Sequence, residues 1–495
     1  MISLHESRNP FKISVTKTPV TVPPSIDQRQ FLPPKTDDFS RADTARAKRG
    51  RSALGIFAES SSAREERDPK AHQTRSRKER QLAADDSDRE DRQLVDQQLE
   101  TARRFKLLNK ARLLLPRERV ADCQRKIAPK IETLETGDNY LTTHDHVAVR
   151  YNADTRHASF SNLMSCESYS CPVCAQWRSE NDRVQLSVGL AEGQKQGLHA
   201  VMVTLTMSHD RGEALGALLD VFANAYNSLF SGRWWHDLSN EYEIVGKVKA
   251  WETTYSTANG WHPHAHVLLF TRTRFEGDDQ SDPDRLIGLF ADEIKARWQA
   301  VLSKRGRWAS WIHGADVKVA HSSIADYVAK FGREPLSRSW GADSEMAKSP
   351  AKSHHTDGLT PLQLLAVAAG EIQHEVSPAM AGKLYQEYFY TFKGVARLHW
   401  GSNLRKLLKL AEALEAFQIA NPPQTDNIRE AVKLAPEMWQ QVVARELRAD
   451  LLRVVATDDP AIIRAWCLHN RVFGEVPAKI LHIDPDRLTS NLVTV

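Results

Sequence analysis

The sequence predicts an α+β protein organised around one β-hairpin, and three observations carry that expectation. In Trp251–Phe270 (WETTYSTANGWHPHAHVLLF), β-rich alternation flanks Ser256-Thr257-Ala258-Asn259-Gly260, and Asn259-Gly260 can supply a hairpin turn. Ala200–Met207 (AVMVTLTM) is a short apolar run carrying Thr204 and Thr206, the pattern of a buried strand. Leu215, Leu218, Leu219, Phe222 and Tyr226 recur at helical spacing, which predicts an amphipathic helix over residues 213–229.

The second arm of the hairpin holds His262, His264 and His266 at every second position. A strand repeats every two residues, so the three imidazoles are expected on one face. With the turn centred near Ala258, Glu252 falls opposite His264 on that face. A carboxylate and two imidazoles then converge, a donor set that suits a divalent cation keeping open positions for substrate oxygens. Isolated histidines are usually packing or surface residues, and His-x-His alone does not specify a metal. The run Val267-Leu268-Leu269-Phe270 that follows, and the acid that faces it, favour the metal.

The whole chain sets bounds on this reading. Its 495 residues give room for about two to four domains. A hydrophobic fraction of 41% with 26% charged residues fits a folded protein with a polar, partly disordered portion. The net charge of +4 is mildly basic, compatible with a nucleic-acid partner without requiring one. No apolar run approaches the about 18 residues of a membrane span, and MISLHESRNPFK lacks the apolar core of a secretory signal. No membrane contact and a cytoplasmic location are therefore expected. Five cysteines in so long a chain do not make a disulfide framework.

Taken in order, residues 1–84 read as a disordered extension and 85–116 as a charged helix. Such a charge run is expected to be a solvated helix face, with a nonspecific DNA-binding arm as the alternative. Residues 117–180 read as a zinc-binding module. Cys166, Cys171 and Cys174 form a Cys-x4-Cys-x2-Cys cluster, and Cys123 brings the thiolates to the four that a structural tetrahedral zinc requires. His157 is the substitute ligand if Cys123 is too distant. A redox Cys-x2-Cys would leave Cys166 unexplained and lacks a neighbouring βαβ pattern. Cys467, beside Trp466, reads as an inert core thiol.

Further helices are expected over 178–196, 283–303, 360–370, 378–392 and 402–420, and a short strand over 315–319. Between them, His321–Gly332 (HSSIADYVAKFG) reads as a capped helix with Ile324, Val328 and Phe331 as its stripe. Tyr327 falls at the edge of that stripe, with Lys330 one turn on and Ser323 one turn back. Alone it would read as a half-buried core tyrosine. Beside a metal-binding hairpin the set suits phosphodiester cleavage, with Tyr327 attacking and Lys330 offsetting charge. Asn421-Pro-Pro-Gln marks a boundary, and 421–495 reads as a small helical unit on Val443, Leu447, Leu451 and Leu452. Packing or oligomerisation suits that unit better than double-stranded DNA binding, because its basic residues are interleaved with acids.

The order Cys123…Cys166…Cys171-x2-Cys174, VMVTLTM, GWHPHAHVLLF, ADYVAKF resembles the replication initiators of rolling-circle plasmids, in the HUH endonuclease superfamily. VMVTLTM is similar to the family's first motif, His264-Ala265-His266 to its metal-binding second, and Tyr327 with Lys330 to its third. Thr360–Leu365 and Lys393-Gly394…Trp400–Leu404 resemble its tail. The resemblance covers about Arg117 to Leu408, with a weaker echo to about Cys467. It implies an HUH-type central antiparallel sheet flanked by helices, a nicking domain over 181–335 and a family tail over 336–420. It also implies Mg²⁺- or Mn²⁺-dependent nicking and rejoining of single-stranded plasmid origin DNA through a 5′-phosphotyrosine, with Zn²⁺ structural. Thr204, Thr206 and Arg333 are the expected DNA contacts. Single- and double-stranded origin DNA, a host helicase and a host polymerase are the expected partners in a bacterial cytoplasm, and oligomerisation is open. Some relatives carry a glutamate four residues before the tyrosine to activate water; here that position is Ser323, which puts hydrolytic termination in doubt, and nothing in the sequence assigns the task to Asp326 or Glu334. A rolling-circle transposase and a non-catalytic, zinc-containing DNA-binding regulator are the competing readings.

Overall fold

The computed structural model describes residues 92, 94–133, 139–275, 283–320, 358–420 and 427–472. The expected extension over 1–84 and the segment holding Ser323, Asp326, Tyr327, Lys330, Arg333 and Glu334 lie outside the described residues.

The predicted hairpin forms the middle of a five-stranded antiparallel sheet. Its arms are β6 (Ile244–Ser256) and β7 (Gly260–Thr271), and Glu252 does pair with His264. We number the remaining strands in chain order: β1 (Pro129–Thr133), β2 (Asn139–Thr143), β3 (Val147–Asn152), β4 (His157–Ser161), β5 (His199–Leu205), β8 (Ala315–Val319), β9 (Leu398–Trp400) and β10 (Ile428–Leu434). The central sheet runs β8-β5-β7-β6-β9. Both faces are covered, so its middle strands are nearly continuous apolar runs, and β7 reads Val267-Leu268-Leu269-Phe270 for that reason.

Strand alternation divides the sheet into two cores. Val201, Val203, Leu205, Trp251, Val267 and Leu269 belong to the larger, which is built with the helix Leu215–Leu229, the helix Pro283–Ser303 and the pair Pro361–Ala368 and Pro378–Phe392. Ala200, Met202, Val248, Ala250, Leu268 and Phe270 form the smaller one with Val184, Leu186 and Val188 of the helix Cys174–Lys195. In that helix Gly189 lets Trp400 approach: a Cβ there would stand 2.5 Å from the indole ring. Local signals set the helix starts. Thr360 caps Pro361–Ala368 in a reciprocal box with Gln363, whose N–H donates to Thr360 Oγ1 at 3.3 Å while Gln363 Oε1 accepts from Thr360 N–H at 2.9 Å.

The structure corrects the sequence reading in several places. The single helix expected over 402–420 is two, Ser402–Leu407 and Leu410–Ala420, broken at Lys409 with φ 45°. The break lets Leu404, Leu408 and Leu410 all bury in the smaller core; in one straight helix Leu410 would turn about 200° away from Leu408. The C-terminal unit, expected to be helical, also contributes a strand. Its β10 pairs with β3, giving the three-stranded sheet β10-β3-β4, and helices Pro436–Ala444, Arg448–Val455 and Pro460–His469 follow. In Ile428-Arg429-Glu430-Ala431-Val432-Lys433-Leu434 the interleaved charges hide the alternation, and the partner strand is remote in sequence. The unit packs on the cysteine-bearing module: Trp439 stands edge-on to Phe160 and donates to Arg125 O at 2.7 Å, while buried Arg448 donates to Gln124 O at 2.9 Å. The helix Gly232–Glu241, the hairpin β1-β2 and β9 have no counterpart in the sequence reading.

Gly260 opens β7 with φ 75°, and a Cβ there would lie 2.5 Å from Arg211 O. Gly260→Ala is therefore expected to destabilise the protein by about 1–3 kcal/mol, read as a lowered midpoint in urea unfolding; an unchanged midpoint would mean the hairpin turn tolerates a side chain.

Candidate functional site

The smaller-core face of the sheet turns polar along β7. Leu268 pairs with Met202 and Val248; one step on, His266 pairs with Thr204 and Ala250; the next step pairs His264 with Glu252. The two histidines and the glutamate thus stand at the edge of an apolar layer that fixes their backbones. Glu252 Oε2 lies 2.9 Å from His266 Nε2 and 3.2 Å from His264 Nε2. The three ligand atoms lie within 4.8 Å of one another. Glu252 and His266 are buried and His264 is partly exposed, so the cluster is rigid beneath and open on one side. Burial pushes the Glu252 carboxyl pKa up, but the two imidazoles outweigh it and hold it well below the usual carboxylate range. One carboxylate and two imidazoles aimed at a common point fit a divalent cation with positions left for other ligands.

Thr204 stands beside the cluster. Its Oγ1 lies 3.1 Å from His266 Nδ1. If His266 Nε2 held a cation, Nδ1 would carry the hydrogen and donate it to this hydroxyl, which would fix tautomer and ring angle. Thr206 Oγ1 donates to His313 O at 3.1 Å. His262, third of the alternating set, is engaged elsewhere: its Nδ1 lies 2.8 Å from His209 Nε2. Burial first, then His264 and His209, push its pKa down to about 4, so it is neutral at neutral pH. The sequence reading missed His209; its one signal was a place just beyond the strand that pairs with the histidine arm. Tyr255 pairs with Trp261 and stacks edge-on to it on the opposite face from Glu252.

The four cysteines also converge. Cys174 Sγ lies 3.4 Å from Cys123 Sγ and 3.7 Å from Cys166 Sγ, and Cys171 Sγ lies 3.7 Å from Cys123 Sγ. Four sulfurs at about 2.3 Å from one zinc stand about 3.8 Å apart, so this spacing fits a closed tetrahedral site. All four are buried. The other three thiols and Ser165, whose Oγ lies 3.2 Å away, favour the Cys174 thiolate and hold its pKa well below the usual thiol value. His157 opens β4 outside the cluster, and Cys123 completes the group of four that could hold a metal ion. Cys467 is buried in its own helix and stands apart from the four. The knuckle is anchored by Arg104, whose Nη1 donates to Pro172 O at 2.7 Å, and by Tyr385, whose hydroxyl donates to Ser170 O at 2.6 Å.

Two measurements check these assignments. Thr204→Val should weaken Mn²⁺ binding about 10- to 100-fold in calorimetry; an unchanged affinity would leave the hydroxyl no part in holding His266. Cys171→Ser should abolish zinc in elemental analysis and lower the unfolding temperature, while a full zinc complement in that variant would point to another ligand set.

Three comparisons bear on this geometry. Residues 157–307 match the model of a family described as replication protein. That span begins at β4 and takes in Cys166, Cys171, Cys174, Thr204, Glu252, His264 and His266. A Protein rep of Streptomyces lividans is 24% identical over 366 residues, covering 61% of this chain and 78% of that protein. A neomycin resistance protein of Streptomyces cyanogenus is 26% identical over 164 residues, 28% of this chain and 37% of that protein. A Protein rep of Lentilactobacillus hilgardii is 30% identical over 115 residues, 23% of this chain and 35% of that protein. No solved structure matches. The resemblance to rolling-circle plasmid replication initiators read from the motifs therefore stands, supported by the replication-protein match over residues 157–307 and by the two Protein rep relatives.

Proposed function

We propose that this chain starts plasmid replication by nicking single-stranded origin DNA and rejoining it through a phosphotyrosine. The observation that carries the reading is the single carboxylate oxygen of Glu252 standing between His266 Nε2 and His264 Nε2 on the open edge of a buried layer. A Mg²⁺ or Mn²⁺ ion held by Glu252, His264 and His266 would supply Lewis-acid polarisation of the scissile phosphate. Thr204 holds His266 in the tautomer this requires, and burial of Glu252 and His266 keeps water from competing for their lone pairs.

The nucleophile in this reading is Tyr327. Its oxygen forms a bond to phosphorus as the bond to the 3′-oxygen breaks; the phenol loses a proton and the 3′-oxygen gains one. Lys330 offsets charge on the phosphoryl oxygens. The phosphotyrosine conserves the energy of the broken ester, so reversal by a 3′-hydroxyl needs no nucleotide. The four-cysteine cluster holds zinc for the fold and takes no part in the chemistry.

The test is a covalent protein–DNA band on a denaturing gel, using the single-stranded origin of the chain's own replicon with and without Mn²⁺. A metal-dependent band is expected from the native chain and none from Tyr327→Phe. Glu252→Gln should lower the rate of adduct formation by about 100-fold or more. A band that survives Tyr327→Phe would move the attack to another residue. Binding without any band from the native chain would favour a DNA-binding regulator.

A further inference from the structure

The face of the sheet turned away from Glu252 carries a different set of groups. β6 is regular from Gly246 onward, so Lys247, Lys249 and Trp251 share the face opposite Glu252. Lys249 Nζ lies 4.9 Å from the ring centres of both Tyr226 and Trp251, and Lys247 Nζ lies 5.3 Å from Phe230 and 5.4 Å from Trp235. Both ammonium groups are half-buried, and among the described residues no carboxylate lies within 4.0 Å of either. Beside Lys247 runs an open groove of about 800 Å³, lined also by Asn224, Asn227, Ser228, Lys304 and Arg305 and by no acidic side chain. Arg305 is fixed there by the carbonyls of Val301 and Asn224 and the hydroxyl of Ser228, none of which neutralises it. On β9, His399 pairs with Lys249 and adds a third basic residue type to this edge.

Ring faces stabilise an ammonium by about 0.5–2 kcal/mol, whereas removing it from water costs several, so the aromatic cradle offsets only part of the cost. Two like charges two residues apart on one strand add repulsion. Accordingly burial, and for Lys249 the Lys247 charge as well, push both pKa values down. An anion in the groove would relieve both penalties at Lys247, which lines it, and would act at longer range on Lys249, which lies behind the lining residue Tyr226. Lysines two strand residues apart are separated by about 6.7 Å, on the order of the distance between successive phosphates of a nucleic-acid strand. The neighbouring amides and hydroxyls are donors suited to phosphodiester oxygens.

We propose that Lys247, Lys249, Lys304 and Arg305 form a second DNA-backbone site, on the face of the sheet opposite the nicking centre. It rests on the replication-initiator reading for the identity of the polyanion and is independent of the nicking step. The groove grips the phosphodiester chain whatever the bases, and so holds the DNA while the other face of the sheet works on one phosphate.

The test uses the full chain and a fluorescent mixed-sequence DNA, once as single strand and once as duplex, with anisotropy followed against KCl concentration. The expected result is a shallower plot of log K against log salt, by about 1 for Lys304→Gln and about 2 for Lys247→Gln with Lys249→Gln. The DNA form that shows the change identifies what the groove holds. Lys247→Arg, which keeps the charge, should keep the slope. If the double variant fails to fold, exposed Lys304→Gln alone decides. Wild-type slope and affinity for both DNA forms in that variant would overturn the proposal. Tyr327→Phe should bind with the native slope, so loss of adduct with the slope intact separates the nicking centre from the groove. A native chain that makes no adduct, while Lys304→Gln still flattens the slope, would sink the nicking reading and leave the groove standing.

Discussion

Everything in the nicking reading depends on one cross-strand register. Glu252 meets His264 only because β6 and β7 pair with the turn between Ser256 and Gly260; a slip of one residue would send the glutamate to the other face, among Trp251, Tyr226 and Phe222. Burial of the flanking strands on both sides makes such a slip costly, because every apolar residue of β7 would exchange one core for the other. The structure therefore locates the carboxylate by packing far from it. Gly189 against Trp400, and the pair of short helices around Lys409, belong to the positioning of the site as much as Thr204 does.

The zinc-type module reaches the same strand through a buried polar chain. Tyr169, in the cysteine loop, donates to Asp182 at 2.7 Å and lies under Arg397, whose guanidinium is 5.6 Å from the ring centre. Arg397 donates to Ser179 Oγ at 3.0 Å, and its carbonyl accepts from Trp251 N–H at 3.0 Å, the residue next to Glu252. A buried arginine held from three sides resists displacement, since uncovering its charge in the interior would cost several kcal/mol. The four cysteines thus flank the loop that carries Tyr169, and the loop in turn ties to the middle of β6 at Trp251.

How far the sequence reveals this depends on how local each signal is. The hairpin and the Glu252–His264 pairing were readable because a period of two and an Asn-Gly turn lie within twenty residues of each other. The cysteine cluster was readable because metal coordination restricts residue type and number, whatever the path between Cys123 and Cys166. β10 was not, because its partner β3 is remote and its charges mask the alternation. Nor was the basic groove, since Lys247 and Lys249 come from a strand, Tyr226 and Phe230 from a helix region and Lys304 from the end of another helix. Thr204 was noticed as a threonine in a buried strand, but its role as the partner of His266 needed the β5-β7 register.

The pairing of β3 with β10 also sets an order of events on the ribosome. Val147–Asn152 is made long before Ile428–Leu434, and at about 5–20 residues per second the gap is roughly 15–55 s. During that interval β3 has β4 on one side and an unsatisfied edge on the other. A chain released early, before Leu434, would keep that edge open and lack the Trp439 and Arg448 anchors on the cysteine module. Translation past Arg448 is thereby built into the assembly of a protein whose proposed work is to cut DNA, and a fragment ending before β10 lacks the closing strand of its cysteine-bearing module.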